Sequence, residues 1–591
     1  MKGDRVVSGP VRTAILERWA WRPDGQQILA AGVMALLVFL ICGPLAIMLW
    51  ASVNPSWLFD ANIEITLANY LDLLRDPLLF QALRNTFAYG LIASVLGVAL
   101  GAVFAWLLER TDLPYKVPIF FLLLVPSAIP GLIYAIAFVL LLDTHIGAVN
   151  IFFASLPLLG YLQFNISSIL GMGIVEGLRL VPGSFLMIAA VLRRMNPDLE
   201  AAANMAGAGV GTTLRHVTLP LVLPGVLGAY IYYFITSIES FEIPAIIGVP
   251  VGIQVFATRL FFAAKPIGGL PRLDIAATWG MFFLLISGVL VFIYARLLRR
   301  RESFTSITGK GFRPRLMPLG NWRYVGLGFV GCYFAVAILF PLLILLWASV
   351  QPYMRPPSMA ALKTLTFSSY VAVWTLPNFV FALRNTLFLI VVSSTLTMIL
   401  AFAVSWVVVR SNVRGRALID FLSFTPHAIP TIVMGVGLMI LFIFLVDIFP
   451  IYGTIWILVV GMVVKRISYA TRVMVASMYQ IHRELEQAAA VSGANLLKTF
   501  WYVTARLVAP ALQNGWLYTA INVNSALTIP LLLHTQKNTV LPILIWSQWQ
   551  DANASMATTL SVITILLTFL LMAVLYGIVR RGERRAGLEA A

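Results

Sequence analysis

The chain has 591 residues, is 60% hydrophobic with a mean hydropathy of +0.91, and carries only 11% charged residues, far below the roughly one quarter of a soluble domain. That excludes a soluble globular protein and predicts a polytopic membrane protein. The net charge of +17 raises nucleic acid as a partner. However, most Lys and Arg fall where the positive-inside rule puts cytoplasmic segments, and the clusters at 296–301 and 580–585 directly follow apolar runs, so membrane anchoring accounts for the sign and no nucleic acid is expected.

Residues 1–27 form a basic lead, expected on the cytoplasmic side with a short interfacial helix over 11–21. The apolar run that follows is too long for a secretory signal core and is predicted to be a retained first span. Apolar runs long enough to cross a bilayer as helices lie near 28–53, 86–108, 117–142, 166–192, 223–243, 276–297, 325–350, 386–409, 417–445, 454–478, 511–532 and 557–579. The expectation is an all-α protein of about twelve transmembrane helices, six in each half. Cys42 and Cys332 both lie in apolar runs, so neither a disulfide framework nor a zinc site is expected.

The two halves repeat each other. Gly-Pro-Leu-Ala-Ile-Met-Leu-Trp-Ala-Ser-Val at 43–53 answers Phe-Pro-Leu-Leu-Ile-Leu-Leu-Trp-Ala-Ser-Val at 340–350. Arg-Asn-Thr recurs at 84–86 and 384–386, Ala-Trp-Leu-Leu-Glu-Arg at 105–110 answers Ser-Trp-Val-Val-Val-Arg at 405–410, and Val-Pro-Ser-Ala-Ile-Pro at 125–130 answers Thr-Pro-His-Ala-Ile-Pro at 425–430. Beyond these motifs the offset drops from 300 to 286, which places a loop insertion near 143–165. Ser-Phe-Glu-Ile-Pro at 240–244 then lies over Ser-Ala-Leu-Thr-Ile-Pro at 525–530. One fold is used twice. An even number of spans gives both copies the same orientation, related by a pseudo-two-fold along the membrane normal, with the shared pathway between them. The expected division is 1–27 basic lead, 28–297 first domain, 298–324 cytoplasmic linker, 325–579 second domain and 580–591 basic tail.

Within each domain a polar island interrupts the apolar pattern, at 196–224 and 482–510. Asn196 suits an N-cap, Pro197 the first helical position, and Asp198 and Glu200 the positive end of a helix dipole. Ala201, Ala202 and Ala203 give a smooth surface for close approach. Gly207 and Gly209 permit a sharp turn into a second short helix before Pro220 and Pro224. The second copy aligns Glu486, Ala488, Ala489 and Gly493 with Glu200, Ala202, Ala203 and Gly207.

These paired islands resemble the Glu-Ala-Ala loops of binding-protein-dependent ABC importer permeases. The first copy closes with Leu219 and Pro220, whereas Ala505 and Arg506 stand there in the second, and the glutamates sit one residue before the family's position, which holds Ala201 and Gln487. The resemblance implies a type I importer permease in the bacterial inner membrane with both termini cytoplasmic. Its loops would couple to two copies of a cytoplasmic ABC ATPase through Glu200, Ala201, Ala202, Ala203, Gly207, Leu219, Pro220, Glu486, Ala488, Ala489 and Gly493, and an extracytoplasmic solute-binding protein would deliver cargo. Overall likeness favours the ferric-iron branch. Thiamine, polyamines, phosphonates and sugar phosphates are cargoes of related permeases.

No phosphate-binding loop is present. Thr-Gly-Lys-Gly at 308–311 lacks both the first Gly and the following Ser or Thr, so ATP is expected at a partner subunit and no cofactor on this chain. No nucleophile, paired carboxylate or metal cluster argues for an enzyme. Pro126 with Pro130 and Pro426 with Pro430 free backbone carbonyls inside spans and mark hinge or pathway positions, or simple kinks. Charges inside spans need a reason. Glu239 and Glu242, with Ser525 and Thr528 as their counterparts, suggest a carboxylate face for a cationic or metal-bearing cargo, while Lys465, Arg466 and Arg472 favour an anion if they reach the lumen. His427 reads as a packed residue rather than a ligand. A secondary transporter of two six-helix halves is the competing class, and it does not explain paired Glu-Ala-Ala loops.

Overall fold

The computed structural model describes residues 25–54, 65–157, 161–196, 198–266, 270–299, 316–482, 484–494 and 496–585. The expected helix at 11–21, most of the expected linker and the end of the basic tail lie outside the described residues. The architecture is all-helical, and the described residues form no sheet.

Helices α1 to α10 are Gly25–Ser52, Pro77–Arg110, Lys116–Ala128, Gly131–Leu142, Ile169–Arg194, Asp198–Met205, Gly211–Ile238, Pro244–Val251, Phe256–Ala264 and Leu273–Arg299. Helices α11 to α20 are Trp322–Ser349, Phe379–Arg410, Arg416–Ala428, Thr431–Phe444, Ile455–Tyr479, Glu484–Val491, Ala509–Asn524, Thr528–Leu533, Leu541–Gln550 and Ala554–Arg585. Each helix of the second set is the counterpart of the one ten earlier.

The expected count of about twelve spans is not reached by single unbroken helices. Among the described residues eight helices are long and apolar enough to cross a membrane, or up to eleven if each bent pair is one span. The third and ninth runs break at the proline motifs, bending by 96° between α3 and α4 and by 108° between α13 and α14. Pro130 and Pro430 supply no N–H and end the preceding helix. The run at 223–243 stops at Ile238 and the one at 511–532 stops at Asn524. Beyond Ile238, α8 and α9 form a pair bent by 83° that hydropathy alone did not separate. Helix α15 is 25 residues long but carries Lys465, Arg466 and Arg472, which lower its apolar character.

Proline also explains five-residue wide turns inside the spans. Val38–Cys42 precedes Pro44 and Ala335–Leu339 precedes Pro341. Pro341 cannot donate to the Ala337 carbonyl four residues back, and the Tyr134 hydroxyl of the other half donates to that carbonyl at 3.0 Å. The expected second short helix of the first polar island is likewise continuous with α7, because a wide turn at Leu214–Thr218 carries the chain through Pro220.

The first span of each half packs on the other half. Helix α1 runs along α14, with Phe39 against Phe442 and Trp50 against Phe444. Reciprocally, Tyr333 of α11 donates to the Leu178 carbonyl of α5 at 3.2 Å and its ring meets Phe104 of α2 at 4.9 Å. This exchange ties the halves together with a core from both. Within the first half, α2 and α5 approach closely through small residues, and the Ser184 hydroxyl donates to the Gly97 carbonyl at 2.7 Å, as expected where lipid gives little hydrophobic drive and close backbone contact holds helices.

Candidate functional site

Two sites stand out: a pair of short helices at one face, and a cavity between the halves. In the first, the side chain of Asn196 accepts the Asp198 N–H at 2.9 Å and starts α6. The helix ends at Gly207, whose φ of +84° matches the +83° of Gly493 after α16, a left-handed turn that costs other residues strain.

Glu200 and Glu486 do not face outward as the loop's working contacts. Glu200 is 3% exposed, accepts the Thr218 hydroxyl at 2.7 Å and pairs with Arg110 at 3.6 Å. Glu486 repeats this with Thr504 at 2.9 Å and Arg410 at 3.1 Å. Each arginine also closes the end of the neighbouring long helix, Arg110 that of α5 by donating to the Leu192 and Met195 carbonyls, and Arg410 that of α15 by donating to the Met478 and Ile481 carbonyls. The glutamates therefore fasten the short helices to the bundle. Ala201, Ala203 and Ala489 are half-buried beneath them, while Ala202 and Ala488 are exposed. Beside the exposed Asp198 and Glu484 at the helix starts, the outward surface presents large apolar side chains: Leu199 and Met205 on α6, the latter 84% exposed, and Leu485 and Val491 on α16, the latter 90% exposed. Leu219 and Pro220 are exposed along α7, beyond the short helix.

The second site is a cavity of about 420 Å³ lined by both halves. The first half contributes the α3–α4 break, Arg179 and the end of α7 with Glu239 and Glu242. The second contributes the α13–α14 break with His427, then Lys465, Arg466, Tyr469, Tyr518, Ser525 and Thr528. Pro130 and Pro430 start α4 and α14 at the two breaks. Pro430 leaves the Pro426 carbonyl without its helical donor, and Lys465 donates to it at 3.4 Å and to Ile429 at 2.9 Å. At the matching place in the first half Arg179 instead binds Glu176 through two bonds, 2.6 and 3.1 Å.

Both cavity carboxylates reach across to the second half. Glu239 lies 3.8 Å from Lys465 and faces the Thr431 N–H at the start of α14. Glu242 accepts the Leu527 N–H at 3.3 Å, beside the start of α18. A side chain at Gly131 would fall on the Glu242 carboxylate, so glycine there admits the crossing. At the other end of α18, Lys265 of the first half donates to the carbonyls of Leu531 and His534 at 2.9 and 3.1 Å. A carboxylate at its N-terminus and an ammonium at its C-terminus complement the backbone groups exposed there. His427 stacks on Tyr232 across the interface at 5.6 Å. Arg472 is not at the cavity; it pairs with Asp420 at 2.7 Å on a partly exposed face.

Residues 395–587 match the family described as binding-protein-dependent transport system inner membrane component. This segment, most of the second half, carries the permease domain of that family. Among curated proteins, the chain is 24% identical over 407 residues to the ferric transport system permease protein FbpB of Actinobacillus pleuropneumoniae, covering 67% of this chain and 56% of that one. It is 21% identical over 511 residues to the Fe(3+)-transport system permease protein FbpB 2 of Haemophilus influenzae, covering 85% and 91%. The chain thus spans a little over half of the first relative and nearly all of the second. A crystal structure of a bacterial ABC transporter involved in the import of alginate aligns at 17% identity and a TM-score of 0.36 over 44% of this chain and 94% of that one, too loosely to bear on fold or cargo.

Several contacts that hold these sites carried no signal in the sequence. The Arg-Asn-Thr motif holds the bend between α8 and α9: Asn85 donates to the Gln254 carbonyl at 3.0 Å, and the Thr86 hydroxyl accepts the Phe256 N–H at 2.8 Å. Asn385 with Thr539, and Thr386 with the Leu541 N–H, repeat the arrangement at 3.0 and 2.9 Å. Arg110 and Arg410 close a recognised repeat, yet only folding brings each beside its glutamate. Lys265 carried no pattern that pointed to it.

Proposed function

We propose that the chain forms the translocation pathway of an ATP-driven importer, with a separate ATPase subunit docking on each of α6 and α16. The observation that carries this is the pair of short helices, fastened by the same Arg–Glu–Thr triad at equivalent places and each presenting an exposed apolar surface. An isolated loop has no need of so rigid a mount. Movement imposed on α6 passes directly to the ends of α2 and α7, because Arg110 and Thr218 sit on those helices.

The loop face is then cytoplasmic, as are both termini, and a solute-binding protein delivers cargo at the opposite face. ATP is bound and hydrolysed by the partner alone. Ferric iron is the cargo favoured by the relatives named above, in agreement with the ferric-branch resemblance.

Met205→Asp and Val491→Asp test the docking surface without touching the buried anchors. Each should sharply reduce co-purification of the ATPase and vanadate-sensitive ATP hydrolysis by the complex, while the permease remains in the membrane fraction. Full ATPase retention in the double variant would overturn the docking assignment.

A further inference from the structure

We propose that the cavity between the halves binds an organic anion, alone or as the chelate of a metal, with its acid group on Arg466. This rests on the permease reading above and narrows its cargo.

The other cations lining the cavity are neutralised where they stand, Arg179 by Glu176 at 2.6 Å and Lys465 by Glu239 at 3.8 Å together with two carbonyls. Arg466 differs. It has no ion pair within 4.0 Å among the described residues, one terminal amino group donates to the Asn522 carbonyl at 3.1 Å, and its shielded Nε has no acceptor. A guanidinium carries five donors in a planar fork, so an edge remains for two parallel bonds to a carboxylate or phosphate. Glu242 shares the electrostatic field of Arg179 and Arg466, but its carboxylate takes the Leu527 N–H rather than closing on Arg466.

The remaining walls suit an organic body. Tyr469 and Tyr518 stack at 3.8 Å beside Arg466, and Tyr232 with His427 forms a second aromatic plate. A volume of about 420 Å³ lies in the usual range for small-molecule sites. A bare trivalent cation is poorly served here. Both cavity carboxylates are already engaged, and no group of three His, Cys, Asp or Glu gathers among the described residues.

The test is equilibrium binding to the full chain in lipid nanodiscs, with citrate, ferric citrate, glycerol phosphate and spermidine as probes. At least one anionic probe should bind and spermidine should not. Binding of citrate or glycerol phosphate alone identifies a free organic acid, and binding of ferric citrate only identifies a chelate. Arg466→Gln should weaken the bound anion at least roughly tenfold. Glu242→Gln, which removes an opposing charge, should leave it unchanged or tighter and keeps the idea testable should Arg466→Gln misfold. Undiminished anion binding in Arg466→Gln, weaker anion binding in a folded Glu242→Gln, spermidine binding, or no binding by any anionic probe would overturn the proposal. ATPase co-purification measured on the same wild-type preparations reports separately on the permease reading.

Discussion

Replacing Glu200 by Ala removes the partner from a nearly fully buried arginine. The side chains of Arg110 and Glu200 are 2% and 4% exposed, and Thr218 donates to the same carboxylate at 2.7 Å. Removing one member of a buried pair costs roughly 3–5 kcal/mol. Arg110 keeps its bonds to the Leu192 and Met195 carbonyls, so the lower end, about 3 kcal/mol, applies. Helix α6 has only eight residues and cannot sustain itself when detached, since isolated helices of that length are marginal. The loss therefore falls on local attachment, and about 3 kcal/mol raises the detached population roughly a hundredfold. Hydrogen–deuterium exchange of the purified chain in nanodiscs reads this directly: amides of 198–205 should exchange far faster in Glu200→Ala, with α2 and α5 little changed. Glu486→Ala should act more weakly on α16, because Arg410 and Glu486 are more exposed, at 5% and 15%. Exchange over 198–205 equal to wild type would refute the anchoring role.

Two further perturbations address the fold around the cavity. Thr86→Val strips the acceptor from the buried Phe256 N–H and should cost about 1–3 kcal/mol, seen as a lowered midpoint of thermal unfolding; Thr386→Val should do the same through Leu541, and an unshifted midpoint in both would remove the motif from the fold's support. Lys265→Met withdraws the donor from the Leu531 and His534 carbonyls and should loosen the first half's hold on α18, so that spin-label distances between α9 and α18 broaden; unchanged distance distributions would show that α18 is held by packing alone.

What the sequence by itself determined was everything periodic or repeated. Apolar runs declared the membrane, offsets of 300 and 286 declared two copies of one fold, and the polar islands at the same place in each copy marked the loops. These signals are local, so no tertiary information was needed. The proline motifs also marked their breaks, because a missing N–H acts on its own helix.

Only the tertiary structure decided what each charge does. Glu200 looked like a contact for a partner and is an anchor, because Arg110, ninety residues earlier in the chain, ends beneath it. Glu239 and Glu242 looked like an open carboxylate face, yet Lys465 and the Leu527 N–H arrive from the other half to engage them. Arg472 looked like a pathway residue until Asp420 took it away from the cavity. A buried charge is defined by its partner, and partners from opposite halves meet only when two helical bundles close around a shared space.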